Sequence, residues 1–67
     1  MKMTAVTKRN EIEVGMAVYV VQKQDQRSEN VTEGIVKKIL TNAAFHPHGI
    51  KVMLESGIVG RVKEFKK

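Results

Sequence analysis

Between Ile50 and Glu55 the chain alternates without a break. Ile50, Val52 and Leu54 fall on one face, and Lys51, Met53 and Glu55 on the other. This is the period of two expected of a strand with one face on a core. Ser56-Gly57 reads as a two-residue hairpin connection, and Ile58–Val62 as the strand that returns beside it. Gly60 inside that strand predicts a bulge or a close backbone approach. Upstream, Met16–Val21 is dense in β-branched and aromatic residues and reads as a strand. In Thr32–Leu40 the apolar residues Val36 and Ile39 stand three apart, so they share a face in a strand only with a bulge near Lys37 and Lys38. A helix would also group Val36, Ile39 and Leu40, but Gly34 and the β-branched neighbours favour the strand. Ile12 and Val14 alternate with Glu11 and Glu13, which suits one more short strand or a strand entry.

Two polar stretches, Gln22–Val31 and Thr41–Gly49, remain as long loops. Residues 1–10 lack periodicity and are expected to form a flexible arm that joins the fold near Ile12. Residues 11–65 then form a single domain, and 66–67 a basic end. Several short strands punctuated by glycine, with no helix, indicate an all-β protein. At this length closure into one small barrel is the economical way to remove exposed edges. The expected architecture is a small SH3-like barrel of about five strands. Its core would come from Val14, Val18, Val20, Ile35 or Val36, Ile39, Ile50, Val52, Leu54, Val59 and Val62. An OB-like barrel is the alternative, although it usually needs a longer chain and a helix between strands.

The chain has 67 residues and no cysteine. One domain is all it can form, and neither a disulfide nor a thiolate metal site can support it. The first residues lack the apolar stretch of a signal peptide, and no apolar run is long enough to cross a bilayer as a helix. A cytoplasmic monomer is the expectation. Twelve Lys and Arg residues oppose seven Asp and Glu, a formal net charge of +5. So dense a positive field on a small body favours anionic partners, nucleic acid first among them. A merely solubilising basic surface is the competing account.

The candidate nucleic-acid contacts are Lys23, Gln26, Arg27, Lys37, Lys38, Phe45, His46, His48, Lys51 and Arg61. The cations would meet phosphates, Gln26 would add hydrogen bonds, and Phe45 is the best placed aromatic for stacking on a base. His46 and His48 alone cannot make a metal site, which needs about four ligands. A rigid loop with Pro47, a turn at Gly49 and imidazoles bonded to backbone explains that segment more simply. No nucleophile setting, phosphate cradle or telling carboxylate pair is present, so neither enzyme activity nor a cofactor is expected.

The strings KQDQR (Lys23–Arg27), TEGIVKKILT (Thr32–Thr41), HPHGIKVML (His46–Leu54) and GIVGRV (Gly57–Val62) resemble the YwbE-like family of small prokaryotic proteins. The resemblance covers roughly Arg9 to Phe65. It implies a barrel of the KOW type found in ribosomal and transcription proteins, and it transfers no chemistry. The chain departs from the family pattern at Glu29-Asn30, where a glycine turn is usual, and at Met53, where an arginine is usual. The expected function is non-catalytic binding of nucleic acid, RNA before DNA. The alternative is an interaction module docking on an acidic protein or a ribonucleoprotein surface.

Overall fold

Val18 and Val20 lie two apart on β1 (Ala17–Val21), and both are fully buried. The same alternation seats Val52 and Leu54 of β3 (Lys51–Leu54) and Val62 of β4 (Val59–Phe65) in the core, with Val36 contributed by β2 (Thr32–Ile39). In the computed structural model, which describes residues 5–23 and 30–66, these strands close into one antiparallel barrel in the order β1-β2-β3-β4. Each strand pairs with both neighbours, so β1 and β3 stand on opposite sides of the barrel. The protein is all-β with a small closed barrel, as expected, but with four strands among the described residues rather than about five.

Two register shifts bend the sheet into closure. In the β2–β3 pairing Val36 faces Leu54 while Lys38 faces Met53, which leaves Lys37 as the extra residue. This is the bulge that the spacing of Val36 and Ile39 demands. In the β1–β4 pairing Tyr19 faces Glu64 while Val20 faces Val62, so the second bulge falls on Lys63 and not on Gly60. Gly60 takes the other role open to it, close approach. A Cβ there would lie 2.8 Å from the Val21 carbonyl oxygen and 2.9 Å from Val20 Cγ2.

The hairpin between β3 and β4 is longer than Ser56-Gly57. The Leu54 N–H donates to the Ile58 carbonyl at 2.8 Å, and the Gly57 N–H to Leu54 at 2.9 Å. The loop is therefore Glu55-Ser56-Gly57, with Gly57 in the left-handed region at φ 91, a recognised three-residue connection. The extra residue changes the parity of the returning strand. Ile58 packs against the core, while Val59 pairs with Met53 and is only half-buried, so Val59 is not the core residue it was expected to be.

The start of the chain differs most from expectation. Ile12 and Val14 do not form a strand. A 3-10 turn over Arg9–Glu11 carries Ile12 into the core at 3% exposure, and Val14 is 65% exposed beside the turn at Gly15. The segment before it is not loose from Ala5 onward. The Val6 N–H donates to Val62 and the Val6 carbonyl accepts from Ile50, at 3.0 and 2.9 Å. Val6 is thereby buried, and Lys8 forms an isolated antiparallel bridge with Phe45. The stretch around Val6 has no periodicity to read, yet the Val6 backbone finds unpaired groups where β3 and β4 part. Val21 is a further buried residue outside the expected core.

Candidate functional site

The outward positions of β3 and β4 carry Lys51 and Arg61, and register places them directly opposite each other. Like charges in that relation repel, so their surroundings matter. The Arg61 guanidinium donates from Nη1 to the Gly49 carbonyl at 3.0 Å. Gly49, at φ 105, lies so close that a Cβ would stand 3.0 Å from the Val62 carbonyl oxygen. Only glycine gives the chain both that backbone angle and that approach. The Lys51 N–H donates to Thr41 Oγ1 at 2.8 Å, and the Thr41 carbonyl in turn accepts from Arg9 Nε at 2.9 Å. Arg9, Lys51 and Arg61, far apart in sequence, thus share one small area around Thr41 and Gly49. Lys38 extends it, since it pairs with Met53 and so lies diagonal to Lys51 on the outer face.

The loop above this area is held by backbone bonds. The Arg9 N–H donates to Ala44 at 2.9 Å and the His46 N–H to Thr7 at 3.0 Å, on either side of the Lys8–Phe45 bridge. Phe45 is 56% exposed despite this anchoring. His46 Nδ1 accepts from the His48 N–H at 3.2 Å, and the two rings lie 5.7 Å apart in a tilted arrangement. His46 is held below its ordinary pKa, first by desolvation, then by the positive field of Arg61 and by His48. The hydrogen bond fits that state, because a protonated Nδ1 cannot accept.

Two acidic side chains stand on the other side of the barrel. Glu33 and Glu64 flank Tyr19 of β1, across the barrel from β3. The only ion pair among the described residues joins Lys66 to Glu33 there, and that bond raises the Lys66 pKa. Among the described residues, no group of three or more His, Cys, Asp or Glu side chains converges as metal ligands would.

Of the expected contacts, Phe45, His46, His48, Lys51 and Arg61 come together with Lys38. Lys37 is exposed on the β2 bulge beside them. Lys23 is exposed two residues beyond the end of β1, whose last residue, Val21, pairs with Arg61. Gln26 and Arg27 lie outside the described residues. Lys8 and Arg9 belong to this area and were absent from the expected set. Their basic dipeptide is visible in the sequence, but nothing local indicates that it folds back onto Ala44 and Thr41.

No helix among the described residues is long and apolar enough to cross a membrane. No solved structure gives a significant match to the chain. A curated relative, the uncharacterised protein YwbE of Bacillus subtilis (strain 168), is 55% identical over 53 residues, covering 79% of this chain and 82% of the relative. Residues 5–65 match a family described as an uncharacterised conserved protein (DUF2196). That match takes in the docked segment from Ala5 together with the whole barrel, and with the identity to YwbE it establishes that the chain belongs to this YwbE-like family.

Proposed function

We propose that the protein binds nucleic acid without catalysis, RNA before DNA, through the face centred on Lys51 and Arg61. The observation that carries this reading is the direct opposition of those two cations, with no carboxylate paired to either among the described residues. Such a pair costs stability in the free protein, and a phosphate group between them removes the cost while gaining charge-assisted hydrogen bonds. Arg9, Lys38 and Lys8 extend the field so that several consecutive phosphates can be met. The non-catalytic part of the reading draws on His46, whose electrostatic neighbours among the described residues are Arg61 and His48 and not a carboxylate that would orient a general base.

The test is fluorescence anisotropy with short RNA and DNA, repeated across a salt series. Binding is expected to weaken linearly on a log–log scale. Lys51→Glu with Arg61→Glu should reduce the slope by about 1.4–1.8, at roughly 0.7–0.9 for each lost phosphate contact. Binding that survives the double reversal with its slope intact would place the contact on another face. Material recovered from cells that stays bound after nuclease treatment would favour an acidic protein partner instead.

A further inference from the structure

We infer that the nucleic acid bound at this face is single-stranded and that one unpaired base stacks on Phe45. The inference rests on the binding reading above and specifies its ligand. Phe45 is the one aromatic side chain among the large hydrophobics that the described surface leaves exposed. An exposed phenyl ring on a mobile loop would mean little, but this one is held. Its backbone bridges to Lys8, and the residues on either side are fixed by the bonds from Arg9 to Ala44 and from His46 to Thr7. The ring is therefore presented to solvent by a segment whose ordering cost is met in the free protein. Its chain neighbours leave it accessible, since Ala43, Ala44 and Pro47 are small or compact and themselves exposed.

The cations set what can reach the ring. Arg9 is tied to Thr41, four residues before Phe45, and Lys51 is bonded to that same Thr41. A phosphodiester chain lying along Lys51, Arg61 and Arg9 thus passes within reach of the aromatic. In a duplex the base faces are occupied by their stacked neighbours, and only edges and backbone are presented. An aromatic side chain finds a partner only where a base is unstacked, so the combination of a cationic track and a fixed ring selects a single strand. An apolar protein partner is a poorer fit, because the surroundings of the ring are cationic.

The experiment compares single-stranded RNA with a duplex of the same sequence at one salt concentration, using the intact protein, Phe45→Ala, Phe45→Leu and Phe45→Trp. The unchanged protein should prefer the single strand. Phe45→Ala and Phe45→Leu should lose about tenfold or more in single-strand affinity, Phe45→Trp should keep it, and the salt slope should not move. Leucine retains apolar bulk, so its loss isolates the aromatic face. Duplex affinity should be the same for all four proteins. If Phe45→Ala binds the single strand as tightly as the unchanged protein, while Lys51→Glu with Arg61→Glu abolishes binding, stacking is overturned and the cationic face stands. If neither single strands nor duplexes bind the unchanged protein at low salt, both readings fall together.

Discussion

At the scale of single residues, His46 joins the fold to pH. Its imidazole is half-buried beside Arg61 and His48, and its Nδ1 accepts the His48 N–H. Desolvation comes first, and the two positive or potentially positive neighbours add to it, so the folded protein holds this histidine below its ordinary pKa. Between the folded and unfolded values the unfolded chain binds the proton more readily, so protonation favours unfolding. The stability associated with neutral His46 is complete above the unfolded value near 6.5 and is lost as pH falls from there toward the lower folded value. Thermal unfolding monitored at closely spaced pH values should show a fall beginning just below about pH 6.5, above the carboxylate range. His46→Gln should flatten that limb while leaving the acid limb in place. An unchanged profile in His46→Gln would assign the fall to another group. Bound phosphate near Arg61 would work in the opposite direction on the imidazole, so nucleic-acid binding and proton uptake at His46 should reinforce each other.

Among the elements, the crossing of β1 and β4 is where packing leaves least room. The hypothetical Cβ at Gly60 meets the Val21 carbonyl and the β-branched Val20, neither of which can swing aside without moving β1. At Gly34 the obstruction is nominally closer, 2.5 Å from Leu54 Cδ1, but that atom is the end of a flexible side chain. Gly60→Ala should therefore destabilise by roughly 1–3 kcal/mol and by more than Gly34→Ala, as read from paired denaturant titrations. The reverse order would mean that the strands are farther apart at Gly60. How far such details were legible in the sequence varied with their range. The alternation of Ile50–Leu54 specified the inward face of β3, and the three-residue step from Val36 to Ile39 required the bulge at Lys37, because both patterns are local. Gly60 offered two backbone roles that only the neighbouring strand could separate. Ser56-Gly57 concealed a third loop residue, Glu55, and with it the side on which Val59 would lie. Lys51 and Arg61 were readable as outward cations, but their opposition depends on that hairpin register. Lys8, Arg9 and Val6 were not readable in their roles, since each depends on partners more than thirty residues away in the chain.

Taken as a whole molecule, the protein puts a formal charge of +5 into a body of 26 × 25 × 23 Å. The Debye length at physiological ionic strength is about 8 Å and rises to about 30 Å in dilute buffer. In dilute buffer each cation on the β3 side therefore feels all the others. The single ion pair among the described residues, Lys66 with Glu33, is exposed and offsets little of that repulsion. The same charges should respond to salt in two opposite ways. Without ligand, raising sodium chloride from about 20 to about 200 mM should increase the melting temperature, because it screens self-repulsion in the compact state. Over that range the affinity for RNA should fall, because releasing counterions into a saltier solution gains less free energy. Lys51→Glu replaces a repulsive cross-strand pair with an attractive one opposite Arg61, so it should raise the melting temperature in dilute buffer, flatten its salt dependence and weaken RNA binding. That trade is what separates a face kept cationic for a ligand from one that is basic only for solubility. In the solubility case the substitution would still relieve the repulsion between Lys51 and Arg61, but it would leave RNA binding unchanged beyond the small change in net charge. A melting temperature that falls as salt rises would show that attractive pairs dominate the folded state, and unrelieved repulsion at Lys51 and Arg61 would no longer point to a missing phosphate.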